Sequence, residues 1–171
     1  DFVSIRDWSA EELSEILSTA RAMKADPAKY SRRLEGKALA MVFEKPSLRT
    51  RVSFDVGIHQ LGGFSVILTR DEINLGKRET VRDVAKNLER MVQGIMIRTF
   101  SHENVEKMAE FASIPVINGL TDFSHPCQAM ADFMTILEKK GNLRGVHIAY
   151  VGDGNNVAHS LMYAAACFGA N

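Results

Sequence analysis

The sequence predicts an α/β fold, a parallel sheet with helices on both faces, followed by the first strand and helix of a second, Rossmann-like α/β unit. Three observations carry this. Short apolar runs recur along the chain, segments of helical periodicity separate them, and 171 residues suffice for one full domain plus part of another. Strands joined by helical crossovers lie parallel and are covered on both faces.

The elements follow in order. Ser9 with Glu12 makes a capping-box signature ahead of Leu13, Ile16 and Leu17, so a helix is expected from about 10 to 25, ending before Pro27. "KALAMVF" (37–43) reads as a buried strand. "RVSFDVGIHQLGG" reads as a helix with Phe54, Ile58 and Leu61 on one face and Gly62 at its end. "FSVILT" (64–69) is the next strand, and "ETVRDVAKNLERMV" has apolar residues at 81, 84, 85, 88, 91 and 92, close to ideal helical spacing. Strands at 94–99 and 114–120 flank a helix near 102–112; a longer helix begins at Pro126 and ends at "KKGN". One more strand and helix are expected in "GVHIAYVGDGNNVAHSLMYAAACFGA". Residues 1–140 are expected to form one domain, with a connector helix from about 126, and residues 141–171 to open a second.

Composition narrows the function. Lys+Arg and Asp+Glu are equal at 21 each, so the overall balance points to no nucleic-acid or membrane-surface partner. No run approaches the roughly 18 apolar residues of a membrane span. Two cysteines without metal-type spacing, Cys127 and Cys167, suit a reducing, cytosolic setting and small buried hydrophobes. No histidine has a partner at metal-ligand spacing, and neither metal nor cofactor is expected. Both ends look cut, with no initiating Met and a final helical pattern stopping at "CFGAN".

Ligands of open parallel sheets bind beyond the carboxyl ends of the strands, where the following helices present their N-termini. Four such junctions carry polar groups: "EKPSLRTR", Arg98, "NGLTDFSHPCQ" and "GDGNN". In the first, Arg49 and Arg51 sit where a helix begins, a placement the helix dipole opposes by about 0.3 to 1 kcal/mol. Ser47 at the N-cap, free first-turn amides and Thr50 between the arginines describe an anion site, whose charge-assisted bonds are worth roughly 1.5 to 3 kcal/mol each. The other reading is that both arginines face solvent or pair with Glu35, Glu44 or Asp55. Arg98, at a strand end, is either solvated or part of the same crevice. His125 and Gln128, three apart at a helix start, can face one crevice, with His125 donating to a carbonyl oxygen and Gln128 binding an amide nitrogen; alternatively they are a capping His and a surface Gln. "VGDGNNV" lacks the third glycine of the dinucleotide fingerprint, where Val157 stands, and suits a small zwitterion better than a pyrophosphate.

Together "FEKPSLRTRVSF", "LGG", "RET", "MIRT", "FSHPCQAMADFMTI" and "VGDGNNVAHSL" resemble the carbamoyltransferase family, and within it the branch acting on ornithine. The resemblance implies the N-terminal, carbamoyl-phosphate-binding half of an enzyme that transfers a carbamoyl group to the side-chain amine of ornithine, giving citrulline and phosphate, in arginine metabolism. It implies Ser47, Leu48 (by its amide), Arg49 and Thr50 as phosphate ligands and Arg51 as a structural partner. It further implies Arg98 bridging phosphate and carbonyl oxygen, His125 polarising that carbonyl, Gln128 holding the carbamoyl amide, and Asn156 meeting the amino-acid end of ornithine. Thr50, Arg98 and His125 would be the catalytic oxyanion donors. A glutamine of the family pattern that reaches a neighbouring subunit's phosphate is replaced by Asn74, which has a shorter side chain. Assembly as a homotrimer or multiple of trimers is implied, and a cytoplasmic location, or the mitochondrial matrix if a transit peptide preceded Asp1. Open alternatives are another acceptor (aspartate, N-acetylornithine or putrescine), a non-catalytic phosphometabolite-binding module and, more distantly, a nicotinamide-dependent dehydrogenase.

Overall fold

The computed structural model describes residues 1–171. After a 3-10 turn at Ile5–Asp7 come α1 (Ala10–Ala25), α2 (Pro27–Tyr30), β1 (Ala38–Phe43), α3 (Leu48–Gln60), β2 (Phe64–Thr69), α4 (Arg70–Ile73) and α5 (Val81–Leu88). The chain continues through β3 (Gly94–Arg98), α6 (His102–Phe111), β4 (Val116–Leu120), α7 (Pro126–Lys140) and α8 (Asn156–Phe168). Local chemistry explains several boundaries. Ser9 and Glu12 form the full capping box that starts α1, Pro126 occupies the first turn of α7, and Gly141 ends it in the left-handed conformation at φ 81°. The helix expected over 79–92 is shorter, because Met91 and Val92 both donate to Leu88 and close the end in a tight turn.

All strand pairs are parallel, in the order β2-β1-β3-β4. Side chains alternate across the sheet. Ala38, Ala40, Val42, Ile95, Ile97 and Val116 pack under α5 and α6, while Leu39, Met41, Phe43 and Met96 pack under α3 through Phe54 and Ile58. A third core lies outside the sheet, where α1, α7 and α8 meet through Leu13, Leu17, Ala129, Met130, Phe133 and Ala164.

The strand expected near 146–151 does not form. Strand structure is a ladder of bonds, and one residue answers this segment: Asn171 donates to the Val146 carbonyl (2.8 Å) and accepts from the Ile148 amide (2.7 Å), the bond pair of a single parallel bridge. Its helix, α8, forms nonetheless, because packing on α7 supplies the burial.

From β1 the chain crosses to β2 on one side, then returns past β1 to β3 on the other. The order therefore reverses between β1 and β3, and a crevice opens beyond their carboxyl ends.

Candidate active site

A crevice of about 620 Å³ sits at this reversal, lined by Ser47, Arg49, Thr50, Arg98, His125 and Gln128 among others. β1 delivers the first three through the turn into α3. There Ser47 Oγ accepts from the Thr50 amide (3.3 Å) and donates to Thr50 Oγ1 (3.0 Å). The amides of Leu48 and Arg49, in the first turn, have no partner in the protein. Leu48 exposes its side chain and lines a neighbouring hollow rather than the crevice itself.

Arg98 arrives beside a β-bulge. Ile97 pairs with Asn118 but Arg98 pairs with Leu120, so Gly119 is the extra residue of a bulge in β4 beside the end of β3. A Cβ on Gly119 would sit 2.5 Å from Met96 Sδ and 3.3 Å from the Ile97 carbonyl, so any larger residue there requires the buried Met96 side chain to move. Arg98 Nη1 donates to Thr50 Oγ1 (3.3 Å), while its buried Nε has no partner. Burial, then the neighbouring Arg49, hold the Arg98 guanidinium below its ordinary range. Neither Arg98, Arg49 nor Arg51 forms an ion pair with a carboxylate. Glu35 is taken by Arg32, Asp55 lies by His59, and Glu44 accepts from Thr99. The pairing reading of the two arginines is thus corrected. Arg51 is exposed and lines a neighbouring hollow, with no carboxylate partner within this chain.

His125 stands at the N-cap of α7 without capping it by its side chain; it lines the crevice. Burial, then Arg98, push its imidazole down to about 4, so it is neutral at physiological pH, and its buried Nδ1 is unpartnered. Gln128 Nε2 donates to Asp132 Oδ1 (2.9 Å), which leaves the amide oxygen free to accept. Asn156 does not line this crevice; its Nδ2 donates to the Thr121 carbonyl (2.5 Å), while the next residue, Val157, does line it. Asn74, left-handed at φ 49° behind α4, lies outside the crevice of its own chain.

Sequence reasoning passed over Gly119 and Asp132, and took Cys127, which also lines the crevice, as a small buried hydrophobe. A glycine inside a strand signals a bulge, and Asp132 lies one helical turn beyond Gln128, so both had a signal. Cys127 is inert: burial pushes its thiol up to about 12.

Fold and crevice define a parallel α/β domain with an anion-receptive crevice at its topological switch point. The profile described as "aspartate/ornithine carbamoyltransferase, carbamoyl-P binding domain" matches residues 1–138. The chain belongs to the aspartate/ornithine carbamoyltransferase family. The ornithine carbamoyltransferase of Thermococcus kodakarensis is 57% identical over 173 residues, covering 100% of this chain and 55% of that protein. That of Listeria monocytogenes serotype 4a is 54% identical over 169 residues, covering 99% and 54%. Among solved structures, ornithine carbamoyltransferase from Pyrococcus furiosus superimposes with a TM-score of 0.97 at 53% identity, covering 100% of this chain and 55% of that one. The enzyme from Thermus thermophilus gives 0.93 at 46%, covering 99% and 58%. The chain spans about half the length of the curated relatives it matches.

Proposed function

We propose that the chain is the carbamoyl-phosphate-binding part of an ornithine carbamoyltransferase acting in arginine biosynthesis. The observation that carries this is the pair Arg49 and Arg98, drawn together beside an open helix N-terminus with neither paired to a carboxylate, the crevice's own Asp132 being bonded to Gln128. Such a cradle calls for a dianion. The relatives named above, ornithine carbamoyltransferases at 46–57% identity, support the acceptor.

Ser47, Thr50, the Leu48 and Arg49 amides and the Arg49 guanidinium hold the phosphate of carbamoyl phosphate. Arg98 bridges that phosphate and the carbonyl oxygen. His125, neutral, donates to the same oxygen, and the Gln128 oxygen accepts from the carbamoyl NH₂. Asn156, with its Nδ2 engaged, keeps its carbonyl oxygen for the ammonium of an amino acid. The neutral side-chain amine of ornithine attacks the carbonyl carbon; a C–N bond forms, the C–O bond to phosphate breaks, and its electron pair and the surplus amine proton leave with phosphate. Thr50, Arg98 and His125 stabilise the oxyanion, and juxtaposition of the substrates supplies effective concentration.

Residues 141–171 open the acceptor-binding domain in this reading, with 1–140 as the phosphate-binding domain. The protein works in the cytoplasm as a trimer or multiple of trimers. Leu48, Val52 and Val56 support assembly: they form an exposed apolar stripe along α3, at one-turn spacing, that a second copy would cover. Asn74 would then serve the neighbour's phosphate. No helix is long and apolar enough to cross a membrane.

The test is an acceptor panel in a chain of the relatives' full length: labelled carbamoyl phosphate with ornithine, aspartate, N-acetylornithine and putrescine. Citrulline from ornithine alone is expected. Transfer to another amine overturns the acceptor, and calorimetric binding of carbamoyl phosphate without transfer to any amine overturns the enzyme reading.

A further inference from the structure

The segment Thr121–His125 is held from α8. Three α8 side chains at positions 156, 159 and 160, which share one helix face, each bond to it. Asn156 Nδ2 donates to the Thr121 carbonyl at 2.5 Å, and His159 Nδ1 lies 3.0 Å from the Phe123 carbonyl. Ser160 Oγ accepts from the His125 amide at 2.8 Å and lies 3.3 Å from Ser124 Oγ. Ser160 is only 1% exposed, so no water stands in for its hydroxyl. His125 itself contributes no side-chain cap to α7 and sits at φ −135°, ψ 69°, outside the helical region. Its backbone is pinned by a different helix from the one it begins.

We propose that Ser160 is a positioning residue: its hydroxyl fixes the His125 backbone so that the imidazole faces the crevice. The inference rests on the reading of His125 as donor to the carbamoyl oxygen and goes beyond it. Asn156 and Ser160 are one turn apart on α8, so the helix that offers a group to the acceptor also sets the height of the group that polarises the donor substrate. Among the bonds that tie α8 to this segment, the buried Ser160–His125 bond is the one that reaches His125 directly, so a shift of α8 when an amino acid engages Asn156 is transmitted to it.

Ser160→Ala tests this in two ways. Without substrate, hydrogen exchange at the His125 amide should accelerate, while the Met41 and Ile97 amides in the sheet keep their protection. In a chain of the relatives' full length, kcat for citrulline formation should fall by about tenfold to a hundredfold, as expected of a group displaced by about 1 Å, with KM for carbamoyl phosphate unchanged because the phosphate cradle does not touch Ser160. Unchanged exchange at His125 overturns the proposal. So does faster exchange with undiminished kcat, and so does a rise in KM at constant kcat. Wild-type protein that makes no product sinks the transferase reading alone, since the exchange comparison still decides whether Ser160 holds His125.

Discussion

Helices α3 and α8 begin alike in sequence and differently in space. Each has a polar residue just before its first turn, Ser47 and Asn155. Ser47 takes one amide, that of Thr50, and leaves those of Leu48 and Arg49 open with Arg49 and Arg98 alongside. Asn155 Oδ1 takes two, Val157 at 3.0 Å and Ala158 at 3.3 Å, and also accepts from Tyr150 OH. One N-terminus is left receptive to an anion and the other is closed by its own cap. This is why "GDGNN" presents a capped helix start despite its glycines, whereas "PSLRTR", with none, presents open amides beside two unpaired arginines.

Several variants would break or sharpen this contrast. The largest effect is expected from Arg98→Ala in a chain of full length: kcat falls by about 10²- to 10³-fold, the cost of losing one preorganised oxyanion donor, in steady-state assays. A fall below about tenfold would mean the crevice does not hold the reacting carbonyl. Ser47→Ala should weaken phosphate binding about tenfold or more by calorimetry, since one charge-assisted bond is lost. It should also lower stability by about 1 kcal/mol, the usual worth of an N-cap. Asn155→Ala should cost a similar 1 kcal/mol in thermal or denaturant unfolding and leave phosphate affinity untouched. Loss of phosphate affinity in that variant would mean the two N-termini act on one ligand.

The smallest effect concerns pH. Because burial lowers the His125 imidazole from 6.5 to about 4, the unfolded chain binds the proton first as pH falls. The contribution is therefore fully present above pH 6.5 and is lost between 6.5 and about 4. His102, also lowered chiefly by burial, acts with the same sign. His125→Gln should flatten, without abolishing, the loss of stability with acid in denaturant titrations; an unaltered slope would place His125 in solvent.

Much of this was legible from residues. Capping at Ser9 and Ser47, the proline start of α7 and the apolar strand runs are local chemistry, and α1, α3 and α7 stand within a turn of their expected places. The clustering of Ser47, Thr50, Arg98, His125 and Gln128 followed from the rule about strand ends, aided by a family resemblance. Other features escaped because they depend on partners distant in sequence. The segment at 146–151 has strand composition but lacks a ladder, and nothing in its residues reports that. Arg51 matches Arg49 in type and neighbourhood, yet the helical turn between them sends one to the crevice and the other away. The grip of Ser160 on His125 joins residues 35 apart through a hydroxyl with no sequence signature.

The bulge at Gly119 carries a consequence for how the chain can drift. Gly119 has no side chain to offer a ligand, yet Met96 Sδ and the Ile97 carbonyl already occupy the space any substituent would need. A saturation library scored for folded protein would therefore show Gly119 tolerating little beyond small residues, although it offers a ligand no side chain. The mutational footprint of the crevice is wider than its surface, and it reaches into the sheet where a strand irregularity stands beside a functional group.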